Sequence, residues 1–351
     1  MPELPEVQTT VNGLNQKVLG KTIASTWTDW PQLIRGHTTA TFAKQLKGAK
    51  ILCARRRGKN IFIDLDTKDS MHVHMKMTGH LLFGKWILQR SSLRVRMRVS
   101  AASASSERDG ARLDRKIFQE KNTFGTAKQS RPGLLRPVLT ELAKTTDKKT
   151  WIAKEPGPLR DDPGNRFIRL MITFTDGTQL ALCDMRRFAK VGLYPTNSIE
   201  VTVGPLGPEP LDNSFTKEDL AQILKHTTIR PIKQFLMDQT KIAGIGNIYS
   251  DEMLFRASIH PRRRPSSLGK KEITLLHTAM REVLREGMNF GGDSDVDYRN
   301  INGERGRFQG EHKAYRRTGK HCTKRGCVGV IKREIIGGRS GHYCSEHQRL
   351  Q

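Results

Sequence analysis

The chain has 351 residues, with 61 lysines and arginines against 35 aspartates and glutamates, for a formal net charge of +26. That length accommodates two domains with cores of their own, and no run approaches the ~20 apolar residues of a transmembrane helix, which excludes a helical membrane protein. The opening Met-Pro-Glu-Leu-Pro-Glu lacks the basic and apolar regions of a secretory signal, so the cytosol is the expected compartment, and so large an excess of positive charge points to nucleic acid as the partner.

After Pro2 and Pro5, Val7, Val11, Leu14 and Val18 recur at helical spacing, which predicts a first helix starting at Pro5-Glu6 that holds the N-terminus against a core. β-Prone runs at 50–54 and 61–65 flank the basic turn Arg55-Arg56-Arg57-Gly58-Lys59-Asn60, which reads as a hairpin tip. Residues 167–175 and 178–183 enclose Asp176-Gly177, a second, tight hairpin. Between about 87 and 162 the pattern fails; scattered basic residues and Ser-Ala-Ala-Ser-Ala-Ser-Ser predict an inserted, largely disordered loop. The Gly- and Pro-rich stretch 204–210 marks a linker. Beyond it Thr216 and Asp219 cap a helix carrying Leu220, Ile223 and Leu224, and Pro231 opens another with Ile232, Phe235 and Leu236 inward. Gly244-Ile245-Gly246-Asn247 leads into a helix over 248–256, and Ile273, Leu276, Met280 and Leu284 share one face of a longer helix. The expectation is an α+β fold in three parts: a mainly β segment over 1–203 with one leading helix, a helical segment over 204–296, and a cysteine-rich hairpin within 297–351.

Cys53 and Cys183 stand alone in apolar surroundings and read as inert core residues. Cys322, Cys327 and Cys344 crowd near the C-terminus, and in a reducing compartment such clustering argues for metal rather than disulfides. The pattern Cys322-x4-Cys327-x16-Cys344-x2-His347 supplies three thiolates and an imidazole, a sound tetrahedral set for one structural Zn2+, with His321 as a competing ligand. Pro2 is a different kind of candidate. Removal of Met1 makes it a secondary amine able to form an iminium with an aldehydic carbon, and an α-amino pKa near ~8, against ~10.4 for lysine, leaves a usable neutral fraction. Glu3 and Glu6 stand where they move protons around that amine, although the same residues also suit an ordinary start of a helix.

The opening Met-Pro-Glu-Leu-Pro-Glu-Val, then Arg56-Arg57-Gly58-Lys59, His74-Met75-Lys76-Met77-Thr78-Gly79, Asp184-Met185-Arg186-Arg187-Phe188, Leu206-Gly207-Pro208-Glu209-Pro210-Leu211, Gly244-Ile245-Gly246-Asn247-Ile248-Tyr249 and the cysteine hairpin occur in this order. Together they resemble the formamidopyrimidine-DNA glycosylase and endonuclease VIII family, over nearly the whole chain outside the insertion. The resemblance implies two lobes: an N-terminal β-sandwich flanked by helices, and a C-terminal helix-two-turns-helix domain with a zinc-binding β-hairpin, DNA lying between them. It implies that Pro2 attacks C1′ of the damaged nucleoside, that Glu3 is the general acid/base, and that Lys59 assists elimination while contacting phosphate. Arg339 would enter the minor groove and assist δ-elimination.

Met77, Arg186 and Phe188 match the residues that fill the void when a lesion leaves the stack, and a wedge, a cation and a ring suit that task; ordinary core packing is the other reading for Met77 and Phe188. Arg187 adds a neighbouring cation. Asn247 stands at a helix N-terminus, where a phosphate is favoured. Lys233 reads as a second phosphate contact or a solvated lysine, and His74 as a phosphate donor or a structural histidine. The sequence departs from the family pattern twice. Lys324 stands where the first ligand of a Cys-x2-Cys pair is usual, His347 replacing the fourth cysteine; and Phe167-Ile168-Arg169 stands where His-x-His is common, leaving Arg169 as the phosphate contact.

The resulting expectation is a monomeric, cytoplasmic, nucleoid-associated glycosylase/AP lyase of base excision repair. Its substrate would be double-stranded DNA containing oxidised purines, 8-oxoguanine and formamidopyrimidines, or abasic sites. An endonuclease VIII-like enzyme for oxidised pyrimidines and a non-catalytic binder of damaged DNA are the alternatives. A ribosomal zinc-ribbon protein explains the charge and the cysteines but not the N-terminus.

Overall fold

The computed structural model describes residues 1–95, 144–198, 202–226, 229–294 and 297–350. The chain divides into two compact units, Met1–Ile87 with Ala153–Gln351, and Leu88–Ile152.

Helix α1 (Leu4–Lys17) opens the larger unit and buries Val7, Val11 and Leu14, as the periodicity predicts. It starts one residue before Pro5 because Glu3 is its N-cap, and proline is well tolerated in the first turn. The stripe serves two cores. Val7, Val11 and Leu14 pack into the core between the sheets, whereas Leu4 belongs to the core of the helical lobe.

The strands β1 (Ile23–Thr28), β2 (Ile34–Arg35), β3 (Ile51–Arg57), β4 (Asn60–Leu65), β5 (Asp69–His74) and β6 (His80–Gly84) alternate with helix α2 (Thr39–Leu46). After them come β7 (Trp86–Val95), β8 (Lys144–Ala153), β9 (Ile168–Phe174), β10 (Gln179–Cys183) and β11 (Lys190–Pro195). A four-stranded sheet in the order β1-β9-β10-β6 and a five-stranded sheet in the order β2-β11-β5-β4-β3 form the sandwich. The β9–β10 hairpin turns at Asp176-Gly177, with Gly177 at φ 78°, as expected. The β3–β4 tip is tighter than the sequence suggests: the strands run through Arg57 and from Asn60, leaving Gly58 (φ 57°) and Lys59 as the turn.

The span expected to be a disordered loop needs correction at both ends. β7 and β8 pair as a two-stranded sheet, held by backbone hydrogen bonds that a hydrophobic pattern does not report. Residues 154–162 return to the sandwich, where Asn165 accepts from the Trp86 indole at 2.9 Å and donates to the Leu159 carbonyl at 2.6 Å. Residues 96–143 of that loop lie outside the described residues.

The second lobe contains α3 (Lys217–Lys225), α4 (Ile232–Met237), α5 (Asn247–Ala257) and α6 (Lys270–Asn289). Thr216 and Asp219 cap α3 reciprocally, at 3.2 and 2.8 Å. Leu220, Ile232, Phe235, Tyr249, Met253 and Met280 fill the core. The strands β12 (Ile331–Ile336) and β13 (Arg339–Cys344) form the terminal hairpin, which packs Ile331 and Cys344 against Phe255.

Candidate active site

The first six residues are pinned from three directions. The backbone N–H of Leu4 donates to the Gly244 carbonyl at 2.9 Å, and that of Glu3 to Glu6 Oε2 at 2.7 Å. Glu3 Oε1 accepts the N–H of Ile248 at 2.9 Å, so the positive end of α5 already holds an anion, the Glu3 carboxylate. A Cβ on Gly246 would stand 2.4 Å from Glu3 Cδ, so only glycine admits the carboxylate there. Glu3 Oε2 is buried and has no hydrogen-bond partner. Pro2 is buried beside it while Met1 is exposed.

Glu6 is also buried. Its Oε1 accepts from the Tyr249 hydroxyl at 2.6 Å and from the N–H of Asp293 at 2.7 Å. Burial first, and the charge of Glu3 second, push its pKa up to about 7. Gly292, at φ 88°, brings the 291–294 loop so close that a Cβ would meet Glu6 Cγ at 2.9 Å.

Lys59 reaches this site because the β3–β4 tip is docked onto the helical lobe. Glu209 binds the tip through Gly58 N–H at 2.5 Å, Arg56 at 2.7 Å and Arg57 at 3.1 Å, and Arg57 also donates to the Gly207 carbonyl at 2.8 Å. Lys59 itself is buried. Burial lowers the pKa of its ammonium, Glu3 and Glu6 raise it in part, and Arg339 lowers it. The structure therefore brings Pro2, Glu3, Glu6 and Lys59 into one site, with Arg339 within electrostatic reach. Arg339 is exposed at the start of β13, directly after the turn Gly337-Gly338.

A second cluster gathers Met77, Arg186 and Phe188. Met77 is 37% and Phe188 46% exposed, which rules out core packing for either. Arg186 Nη1 lies 3.4 Å from Met77 Sδ, and its guanidinium sits over the Phe188 ring at 4.8 Å from the centroid. Arg187, between them, is exposed with φ 58°, a left-handed backbone that lets its neighbours project side by side. His74 accepts the Lys76 N–H on Nδ1 at 3.0 Å, and burial followed by the Lys76 charge holds its pKa at about 3. The ring is neutral with its proton on Nε2, a donor.

Two expected phosphate contacts are corrected by burial. Lys233 is fully buried and its ammonium donates to Asp251 at 2.6 Å, Ser250 at 3.0 Å and the Asn247 carbonyl at 3.1 Å. It is neither a solvated lysine nor placed to meet a phosphate; it supports the turn that carries Asn247. Arg169 is also buried, bonded to Asp29 at 2.8 Å and to the Asp184 carbonyl at 3.2 Å. Asn247 opens α5 as expected, but its side-chain N–H2 reaches Ser340 of the hairpin at 3.3 Å.

The sulfurs of Cys322, Cys327 and Cys344 and a ring nitrogen of His347 all lie within 4.8 Å of one another. Cys322 Sγ and Cys327 Sγ stand 3.5 and 3.6 Å from His347 Nδ1, and Cys327 Sγ stands 3.6 Å from Cys344 Sγ. Edges of this length fit a tetrahedron built on Zn–S bonds of ~2.3 Å and Zn–N bonds of ~2.0 Å. His347 Nε2 donates to the Phe255 carbonyl at 3.3 Å, which leaves Nδ1 free as a ligand. The four residues form a single metal site. His321 is instead held in a β-bridge to Val330 and is not one of the four.

Sequence reasoning assigned no role to Glu209, Tyr249 or Asp184. Each stands inside one of the blocks quoted above, but its contacts with distant residues, Glu209 to Gly58, Tyr249 to Glu6 and Asp184 to Thr78, appear only in the fold.

A sandwich and a helical lobe thus share one N-terminal helix, with paired acids and a lysine at the seam. The Formamidopyrimidine-DNA glycosylase N-terminal domain family matches residues 1–123, and the Formamidopyrimidine-DNA glycosylase H2TH domain family matches 206–298. The formamidopyrimidine-DNA glycosylase of Pelotomaculum thermopropionicum is 31% identical over the whole of both chains, and that of Bacillus subtilis 30% identical over 99% of each. The chain belongs to the formamidopyrimidine-DNA glycosylase family and is a DNA glycosylase of base excision repair. Among solved structures it is similar to the complex of Lactococcus lactis Fpg with DNA containing an abasic site, at 24% identity and a TM-score of 0.72 over 99% of this chain and 100% of that one. A complex of a Lactococcus lactis Fpg mutant with THF-containing DNA is 25% identical, with the same TM-score and coverage.

Proposed function

We propose that this chain is a bifunctional glycosylase/AP lyase for oxidised purines, 8-oxoguanine and formamidopyrimidines, in double-stranded DNA, with Pro2 as nucleophile. After Met1 is removed, the Pro2 nitrogen bonds to C1′, the glycosidic bond breaks, the base leaves with a proton, and the opened sugar becomes an iminium. Loss of a proton from C2′ expels the 3′ phosphate, and a second elimination expels the 5′ phosphate; hydrolysis of the iminium frees the enzyme. Glu3 is the proton carrier. The observation that carries this reading is its Oε2, buried and without a hydrogen-bond partner among the described residues, on the residue that follows the buried Pro2.

Lys59 and Arg339 assist elimination and neutralise the departing phosphates, and Glu6 holds Glu3 in place. His74, through Nε2, together with Arg187 and Asn247, grips the backbone. Met77, Arg186 and Phe188 enter the space left by the extruded nucleotide. Zn2+ is the metal of the four-residue site, where it fixes the hairpin bearing Arg339. The protein acts as a monomer in the cytoplasm, on the nucleoid.

The test is borohydride trapping on an abasic duplex. A covalent protein–DNA adduct is expected, weakened by Pro2→Gly and abolished when Met1 removal is blocked; no adduct would overturn the mechanism. The lesion class is tested separately, because one solved Lactococcus lactis Fpg complex contains an oxidised pyrimidine. In a competition between 8-oxoguanine and thymine glycol duplexes, cleavage of thymine glycol alone would sink the purine assignment.

A further inference from the structure

Asp184 is fully buried, and among the described residues no lysine or arginine side chain pairs with its carboxylate. A buried carboxylate is costly unless its lone pairs are filled, and here they are filled by two loops. Oδ1 accepts the Thr78 hydroxyl and the N–H of Arg186 at 3.2 Å; Oδ2 accepts the N–H groups of Phe188 and Ala189, each at 2.7 Å. Thr78 Oγ1 in turn accepts the Arg186 N–H at 3.1 Å. The residue's own backbone is fixed as well, its N–H donating to the Phe167 carbonyl at 2.9 Å and its carbonyl accepting from Arg169 at 3.2 Å.

One loop presents Met77, the other Arg186 and Phe188, and the two come from different parts of the sequence. The carboxylate bonds to both loops, to Thr78 of the first and to Arg186, Phe188 and Ala189 of the second. Three N–H groups converging on one side chain also hold the 186–188 turn in the shape that the left-handed Arg187 requires.

We infer that Asp184 is a positioning residue for duplex recognition: its carboxylate, with Thr78, holds Met77, Arg186 and Phe188 as one preformed wedge. The inference rests on the proposal that these three side chains enter the duplex. Asp184 touches no reacting atom. Its effect lies in delivering the three side chains together, so that opening the stack needs no reordering of the loops.

The test compares an abasic site in a single strand, where there is no stack to fill, with the same site and with 8-oxoguanine in a duplex. Asp184→Asn sets an amide against N–H donors and loosens the wedge; Thr78→Val removes only the hydroxyl link. For D184N, borohydride trapping on the single strand should stay within about twofold of the native protein while duplex kcat/KM falls about thirtyfold, the size expected from small misplacement of a recognition group. T78V should show the same split at a smaller size. A 2-aminopurine opposite the lesion should brighten less on binding, reporting an unfilled gap.

Met77→Ala and Phe188→Ala are run alongside. If these leave the ratio of duplex to single-strand activity unchanged, the wedge reading itself is wrong. If they lower that ratio while D184N and T78V do not, the inference about Asp184 is overturned. Equal loss on both substrates, together with a lowered melting temperature, overturns it too by making Asp184 a stability residue. Should D184N fail to fold, T78V decides by the same criterion.

Discussion

Tyr249 and Glu6 are bonded at 2.6 Å inside the protein, across the join between the helical lobe and the first helix. The oxygen that takes the phenol also takes the N–H of Asp293, so one carboxylate ties α1, α5 and the 291–294 loop together.

The charge state of Glu6 should therefore be visible in stability. Its pKa is about 7 when folded against an ordinary 4.5, so between these values the folded chain binds more protons than the unfolded one. The contribution is fully present below about pH 4.5 and is lost as pH rises through 7, about 3 kcal/mol in all. His72 and His74, held by burial at about 4 and 3, act in the opposite sense below 6.5. Subtracting them requires a comparison: urea unfolding of Glu6→Gln and of the native chain from about pH 5 to 8. The Gln variant should gain relative stability as pH rises, and parallel curves would remove the buried titration.

Gly246→Ala should damage catalysis more than folding. The added methyl falls 2.4 Å from Glu3 Cδ, which displaces the proposed proton carrier, at the cost of one hydrogen bond at the start of α5, that from the Ile248 N–H. Single-turnover excision is expected to slow about a hundredfold, with DNA affinity little changed. A native rate would show that the seat of Glu3 is dispensable.

Lys233→Met distinguishes a buried ion pair from a phosphate contact. It strands Asp251, which also accepts from the His342 ring at 2.9 Å, and should cost about 3–5 kcal/mol in denaturant unfolding. A lysine on phosphate would behave differently, its loss lowering the salt dependence of DNA binding by about one unit with no change in stability. The second pattern would contradict the geometry.

The metal site predicts one zinc per chain by atomic spectroscopy. His347→Ala, which leaves three thiolates, should lose the ion and with it the hairpin that carries Arg339, whereas His347→Cys should keep both. Chelation should weaken DNA binding without abolishing the sandwich, because the cysteine cluster has a small core of its own. Purified protein free of zinc and fully active would refute the assignment.

Much of this was readable in advance, for reasons that differ from residue to residue. Val7, Val11 and Leu14 announce α1 because one helical face is buried, and Asp176-Gly177 announces a hairpin because the turn demands its chemistry. Arg55, Arg56 and Arg57 hid the true length of β3, since strand residues so charged make sense only with Asp64 and the distant Glu209 on the page. Lys233 and Arg169 look like any surface cation until Asp251 and Asp29 appear beside them. The resemblance locates Met77, Arg186 and Phe188 and includes Asp184 in one of its blocks, but the role of Asp184 is defined by hydrogen bonds that only the fold shows. The polar strand at 144–153 shows the same limit, because backbone pairing leaves no mark on composition.

Leu4 sits in the helical core and Val7, three residues on, in the core between the sheets. The segment around Glu3, Leu4 and Glu6 is thus completed by Gly244, Ile248 and Tyr249, which follow far along the chain. A nascent or truncated chain lacking that stretch has no seat for Glu3 and no phenol partner for Glu6. The proposed lyase chemistry is withheld until the polypeptide has closed on its own beginning.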